Sequence, residues 1–394
     1  MKLKQKPEDF IVEEILPRYI LDKVSRPKES NNNQDNPDQN KGYKIYLLRK
    51  KSLETFALLR YISKNNNIPL KEIGFAGLKD KHAYTSQYIT IPSQYNLSTV
   101  KEKNFEIELV GYVKSPIKTG DLVGNKFTIV VRDFREKEIA KLKSILTHRR
   151  ANINIYGIPN YFDSQRFGSV INREFIAKHL AKQDYEGAVN VFVTKYNKSE
   201  RAKIKNEKRK IEKEWGNILE GKKIETKNKL FNLILSEYYE SKIWLKAYLK
   251  IPRNLREMFV IAYQSYLWNE CVKEVIKEAV MLNKESSNNL SSFGVQYNAG
   301  RMVFFEHNAN ATINAKDLSE LALPQKFKTI SPKIKMSEYE EQIINKVFMR
   351  EGIILEELDI RKETGTFFST LERDVFVKPE NLTIYSQEKD EVNS

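Results

Sequence analysis

Apolar and polar positions along the chain predict a first part built of strands and single helices. Apolar runs typical of strands lie at residues 9–16, 43–49, 87–91, 104–113 and 126–134. Spacings of three and four residues predict helices after Ser52, where Ser52-Leu53-Glu54-Thr55 offers capping groups, and over residues 136–149. Strands that alternate with single helices predict an α+β domain with a largely antiparallel sheet.

The pattern becomes helical from residue 169 to about residue 283. Residues 200–215 are mostly Lys, Arg and Glu, which is typical of a solvated helix with ion pairs. A phosphate-contacting arm is the alternative, because basic residues are in excess there. An apolar helix starts at Phe259 and runs towards Leu282, with Cys271 predicted as a small buried hydrophobe. Beyond it we predict a polar loop at 286–292, a strand at 300–306 and a helix at 337–349.

Two polar stretches predict no regular structure. Residues 28–42 contain no apolar side chain, and we expect a mobile loop between two strands. Residues 387–394 are polar and are expected to fray.

Composition predicts a folded protein with a polyanionic partner. The 394 residues are 40% hydrophobic and 30% charged, which suits two or three folded domains. The net charge of +15 points to nucleic acid or an acidic surface, and 20 Tyr with 20 Phe favour RNA, whose bases stack on rings. With no long apolar run and a single cysteine, we expect a cytoplasmic protein without membrane spans or disulfides.

Several kinds of chemistry lack their motifs. The chain has no GxGxxG and no GxxxxGK[ST] phosphate cradle. Its four histidines show no metal-ligand spacing, and a metal-dependent nuclease would also need clustered acids. We therefore expect carboxylate chemistry without a metal or nucleotide cofactor.

The stretch from Phe75 to Gln87 carries the leading candidate carboxylate, Asp80. Lys79 and Lys81 flank it, and neighbouring cations lower the pKa of an acid. Gly77 allows a bend that presents the carboxylate at a cleft. The alternative is a solvated lysine-rich turn with an ordinary surface aspartate.

Residues 158–168 form a second candidate segment. Between Pro159 and Gly168 the chain places two aromatic side chains, an amide and an arginine, which suit stacking on a base and hydrogen bonding to it. The alternative is a buried aromatic corner at a domain seam.

Five segments of the chain, taken together, resemble the TruD family of tRNA pseudouridine synthases. In order along the chain they are residues 7–14, 74–83, 124–129, 159–168 and 262–269. The resemblance extends from about residue 5 to about residue 380. It implies a pseudouridine-synthase-like α+β catalytic domain, with a mainly antiparallel sheet, and an inserted α+β domain specific to the family.

The resemblance also implies the activity and the site residues. The implied reaction converts uridine 13 of tRNA into pseudouridine without a cofactor, and we expect a monomer. Asp80 matches the catalytic aspartate, which attacks the target nucleotide at the sugar or at the pyrimidine ring. The expected substrate-binding residues are Phe10, Lys79, Asn160, Phe162, Gln165 and Arg166.

The expected domains follow from the same resemblance. We predict the catalytic domain at 1–157, the inserted domain with a helical expansion at 158–378, and the start of a truncated return strand at 379–394. The alternative function is a catalytically silent RNA-binding protein or RNA chaperone on the same scaffold.

Overall fold

The computed structural model describes residues 2–25, 42–97, 100–133, 135–197, 200–284, 290–307 and 323–385. The chain forms two compact units. Unit 1 comprises Met1–Lys141 and Tyr385–Ser394, and unit 2 comprises Leu142–Ile384. The domain boundaries after residues 157 and 378 stay predictions. The predicted loop at 28–42, apart from Gly42, and the predicted frayed tail lie outside the described residues.

Unit 1 is built on a mainly antiparallel sheet, as predicted. Its strands are β1 (Lys2–Leu3), β2 (Phe10–Ile15), β3 (Tyr43–Lys51), β4 (Gly74–Phe75), β5 (Tyr84–Pro92), β6 (Val100–Lys101), β7 (Phe105–Val113), β8 (Gly124–Ile129) and β9 (Val131–Arg132). Its helices are α1 (Arg18–Leu21), α2 (Thr55–Asn65) and the start of α3 (Glu136–Tyr156). The main sheet has the order β6-β7-β3-β5-β2-β8, with β4 paired to β5.

One parallel pair in this sheet positions the candidate site. Strands β2 and β5 run parallel, with Ile11 opposite Tyr84. The start of β2, at Phe10, therefore lies at the same end of the sheet as the loop that leads into β5. That loop carries Asp80.

The core of unit 1 lies between the sheet and α2. Leu58, Leu59 and Ile62 on α2 are buried against apolar side chains of the sheet, including Leu48 and Ile89. The helix begins after Glu54, whose carboxylate accepts hydrogen bonds from the backbone N–H groups of the first turn. The predicted helix is confirmed, and its cap is the third residue of the predicted capping stretch.

Strand β8 lies at one edge of the sheet in the described part of the chain. Among the described residues, its pairing partner is β2. Phe127 and Ile129 on β8 are 56% and 55% exposed. Residues 378–385, where the return strand was expected to start, include a turn and no strand.

Unit 2 is mainly helical. Its helices are the remainder of α3, α4 (Ile176–Ala181), α5 (Tyr185–Thr194), α6 (Ala202–Lys213), α7 (Trp215–Leu219), α8 (Lys229–Ser241), α9 (Trp244–Leu249), α10 (Arg253–Lys284), α11 (Glu338–Glu351) and α12 (Arg361–Thr364). Its strands are β10 (Ile158–Pro159), β11 (Leu290–Tyr297), β12 (Gly300–His307), β13 (Lys326–Lys328), β14 (Glu372–Asp374) and β15 (Phe376–Val377). They form three antiparallel pairs, β10-β15, β11-β12 and β13-β14.

Helix α10 is the central element of unit 2. Along it, Tyr263, Leu267, Trp268, Cys271 and Val275 are at most 1% exposed and belong to one large apolar core. The predicted apolar helix is thus confirmed, and burial raises the pKa of the Cys271 thiol. No helix in the described part of the chain combines the length and the apolarity needed to cross a membrane.

The ion-paired helix predicted at 200–215 is confirmed as α6. Lys208 is buried and pairs with Glu200 at 3.0 Å, and Glu212 pairs with Lys195 at 2.9 Å. The polar loop predicted at 286–292 is wrong for its last three residues, because β11 begins at Leu290 and pairs with His307 on β12. Pairing with β12 supplies backbone hydrogen bonds that a local polarity pattern does not reveal.

Candidate active site

Buried polar side chains hold the loop that carries Asp80 in place. Lys50 on β3 is fully buried, and its Nζ donates to the carbonyl oxygens of Leu53 and Asp80, both at 2.8 Å. Thr55, at the start of α2, accepts a hydrogen bond from Lys79 N at 3.2 Å. Because these supports lie on regular elements, the loop presents Asp80 in a fixed place.

The Asp80 carboxylate has two hydrogen-bond donors. Lys4 Nζ donates to Oδ2 and the backbone N–H of His82 donates to Oδ1, both at 2.9 Å. Partial burial raises the pKa of Asp80, but these two donors outweigh it and hold the pKa below the ordinary value of 3.8. The predicted direction is confirmed. The predicted cause is wrong, because neither flanking lysine donates to this carboxylate.

Lys4 also brings Phe10 next to the candidate nucleophile. Its ammonium lies 3.8 Å from the centre of the Phe10 ring, within the range of a cation–π contact. Phe10 is half-buried and packs against Phe127, with ring centres 6.1 Å apart. Asp80 and Phe10 are therefore joined through one ammonium group.

The side chain of Lys79 is buried in unit 1. Its Nζ lies 2.6 Å from Glu14 Oε1, and the two side chains are 4% and 0% exposed. Glu14 Oε2 also accepts a hydrogen bond from Tyr88 N at 2.9 Å. We therefore propose that Lys79 anchors the loop to β2 and β5, and its predicted contact with substrate stays a proposal.

The buried ammonium of Lys50 gives the site a distinctive pH dependence. Burial lowers the pKa of Lys50 to about 8 from 10.5, although the Asp80 and Glu54 carboxylates favour its charged form. Lys79, whose charge disfavours a second cation, is the other charged group that affects it.

The stability of native protein is expected to rise with pH relative to a Lys50→Met variant. The unfolded chain keeps this proton up to about pH 10.5 and the folded chain only up to about pH 8. Burying the charged ammonium therefore lowers the unfolding free energy by its full amount below pH 8 and by nothing above pH 10.5. We expect a relative gain of about 3 kcal/mol in unfolding free energy across this interval. Urea denaturation of both proteins measures it, and parallel curves for the two would contradict the assignment.

In unit 2, the predicted residue Phe162 is held by its backbone, and Asn160 is held by its backbone and its side-chain amide. Asn160 N donates to Val375 O at 2.8 Å, and Asn160 Nδ2 donates to Asp374 O at 3.0 Å. The side chain of Asn269 on α10 bridges Phe162, with its Oδ1 accepting from Phe162 N at 2.8 Å and its Nδ2 donating to Phe162 O at 2.9 Å. Helix α10 and the end of strand β14 thus fix residues 160–162 in place.

The Phe162 ring lies among one aromatic and two cationic side chains. Trp268 meets it edge-on at 5.6 Å, and the guanidinium groups of Arg373 and Arg166 lie 4.0 Å and 5.2 Å from its centre. Gln165 and Arg166 are exposed on a turn of 3₁₀ helix, Ser164–Phe167.

The 158–168 segment has a buried part and a part exposed to solvent, and its predicted contact with a base stays a prediction. Phe167 is fully buried and Tyr161 donates from its hydroxyl to Val303 O at 2.8 Å, as in a core corner. Phe162 is only partly buried, and Arg166 is exposed. This second side of the segment is open to a ligand.

Five site residues were not singled out from the sequence: Lys4, Glu14, Lys50, Asn269 and Arg373. Each acts through a partner distant in sequence, and Lys4 and Asp80, for example, are 76 positions apart. The described residues contain no group of three or more His, Cys, Asp or Glu side chains arranged to hold a metal ion.

Comparison with known proteins places the chain in a family. The family model described as tRNA pseudouridine synthase D (TruD) matches residues 1–393. A probable tRNA pseudouridine synthase D 2 from Methanocaldococcus jannaschii is 39% identical over 397 residues, covering 100% of this chain and 85% of that protein. A tRNA pseudouridine synthase D from Aquifex aeolicus is 28% identical over 402 residues, covering 99% and 92%.

A solved structure agrees with these matches. The crystal structure of a putative tRNA pseudouridine synthase D from Methanosarcina mazei aligns with a TM-score of 0.66 and 25% identity, covering 96% of this chain and 84% of that chain. The predicted resemblance and the α+β fold class, with a pseudouridine-synthase fold and an inserted domain, are confirmed. The chain belongs to the TruD family of tRNA pseudouridine synthases.

Proposed function

We propose that this protein isomerises uridine 13 of tRNA to pseudouridine, with Asp80 as the nucleophile. The observation that carries the proposal is the Asp80 carboxylate, held by Lys4 at 2.9 Å beside the Phe10 ring. Its pKa lies below the ordinary value, with burial opposing and the Lys4 and His82 donors prevailing. The carboxylate is therefore ionised at neutral pH, as nucleophilic attack requires.

The proposed reaction moves one bond of the nucleotide. The uridine is first flipped out of the RNA, at an unstacking cost of roughly a few kcal/mol. Asp80 attacks the nucleotide, at the sugar or at the ring, and the bond from the base nitrogen to the ribose breaks. The uracil turns in the pocket, its carbon 5 bonds to the ribose, and the proton on carbon 5 is released. Nitrogen 1 takes up a proton from solvent and the bond to Asp80 breaks, so the substrate and product are isomers.

The roles of the remaining predicted residues are part of this proposal. Phe10 and Phe162 would stack on the flipped base, and the amide of Asn160 would hydrogen-bond to it. Gln165 and Arg166 would contact the RNA next to the base. Partial exposure of these side chains supports these roles.

A tritium-release assay tests the function directly. We expect the native chain to release about one equivalent of tritium per tRNA from a transcript labelled at carbon 5 of uridine 13, because that proton leaves during isomerisation. A matched transcript with cytidine at position 13 should release none from that position. Tight tRNA binding without any release would favour the silent RNA-binding alternative.

A further inference from the structure

A cluster of hydrogen-bond donors lies around the Phe162 ring in unit 2. Arg373 on β14 stacks on this ring at 4.0 Å and lies 4.9 Å from the centre of the Trp268 ring. Arg166 lies 5.2 Å from the Phe162 ring centre. Arginine and the indole of tryptophan can donate hydrogen bonds through nitrogen but cannot accept them.

Two of these donors have no acceptor. The buried Nε of Arg373 and the buried Nε1 of Trp268 have no hydrogen-bond partner among the described residues. Arg373 uses Nη2 to donate to Asn160 O at 3.3 Å. A buried donor without an acceptor calls for an explanation, and a bound ligand rich in acceptors is one such explanation.

The cluster also carries unbalanced positive charge. In the described part of the chain, neither Arg166 nor Arg373 forms an ion pair, whereas Arg149, Arg253 and Arg350 all pair with glutamates. Burial and the nearby charge of Arg166 lower the pKa of Arg373, although the Asp374 carboxylate acts in the opposite direction. An anion between the two guanidinium groups would relieve this repulsion.

The backbone around the cluster is already fixed. Asn269 bridges both backbone polar groups of Phe162, and Asn160 is bonded to the β14 segment at 2.8 Å and 3.0 Å. A ligand would therefore meet the Phe162 ring on a backbone that is already ordered.

We propose that Arg373 and Arg166 together bind one backbone phosphate of the RNA substrate at the Phe162 ring. This rests on the proposed function, since it takes RNA as the ligand. The planar guanidinium fork matches the oxygens of a phosphate, and the ring supports the fork from one side. Arg373 thus both orients Phe162 and contacts the RNA.

Salt-dependent binding tests the proposal. The probe is a tRNA transcript with cytidine at position 13, which binds without reacting. Affinity is measured from low to high potassium chloride for native protein, Arg166→Ala, Arg373→Ala and the double variant. Arg253→Ala is the control, because Arg253 is exposed and already paired with Glu257 at 2.9 Å.

Each single variant is expected to bind about 10-fold more weakly. The fall of log affinity with log salt should also become shallower, by about 1 in slope. The double variant should lose less than the product of the two single losses, because both arginines hold the same phosphate. The control should keep the native slope. Arg166 is exposed, so its variant reports on binding even if Arg373→Ala unfolds.

Three results would overturn the proposal. Native slopes in Arg166→Ala and Arg373→Ala, with tRNA still isomerised, would leave the proposed function standing and reduce Arg373 to a support for Phe162. A second result would be native slopes in the variants, with native protein more heat-stable in inorganic phosphate than in chloride at the same ionic strength. It would assign the site to a free anion. No binding of tRNA by the native chain would overturn both this proposal and the proposed function.

Discussion

Asp80→Asn is expected to abolish pseudouridine formation, with turnover falling on the order of 10⁴-fold or more. Asparagine has nearly the same shape as aspartate, so the loop should keep its conformation. Its amide has no negative charge and cannot act as the attacking group. Affinity for tRNA should stay within about twofold, because the carboxylate contributes to the reaction and not to the attraction of a polyanion.

The experiment pairs tritium release with tRNA binding for the same preparations. Asp121→Asn is the matched control, since Asp121 is also in unit 1 and its carboxylate also accepts from a backbone N–H, that of Lys118, at 2.8 Å. It should turn over like native protein. Substantial release by Asp80→Asn would remove this residue from the role of nucleophile.

Glu14→Ala is expected to lower the unfolding free energy by about 3–5 kcal/mol. The reason is that it leaves the ammonium of Lys79 buried without its partner, in a site where the two side chains are 4% and 0% exposed. The backbone N–H of Tyr88 would also lose its acceptor. Urea denaturation of native and variant protein measures the change.

Two further variants separate the buried pair from ordinary surface pairing. The adjacent Glu13 pairs with Lys126 at 2.8 Å on the surface, and Glu13→Ala should scarcely change the unfolding midpoint. The double variant Glu14→Leu with Lys79→Met should recover most of the loss, because it removes both buried charges. Equal losses for Glu13→Ala and Glu14→Ala would contradict this account.

Local patterns in the sequence predicted the elements well where burial follows one face. Helix α10 is an example, since its apolar residues pack on one large core. Helix α3 was predicted to end at residue 149 but reaches Tyr156. Its last turns contain asparagine and β-branched isoleucine, which weaken the helical signal.

The site shows where such patterns stop being informative. The role of Asp80 stays a prediction, and the direction of its pKa shift was predicted correctly but attributed to the wrong donors, the flanking lysines. Its actual donor, Lys4, is 76 residues away in the chain and is brought to it by the packing of unit 1. Arg373 is 213 residues from Asn160 and stands between two acids, as an ordinary surface residue would.

The burial of the only cysteine has a practical consequence for following this protein at work. Cys271 is 0% exposed and burial raises the pKa of its thiol, so it offers almost no thiolate to a maleimide reagent. A cysteine introduced at an exposed position in each unit would therefore be labelled without removing a native residue. The fluorescence of a dye in either unit would then report the response of that unit to added tRNA.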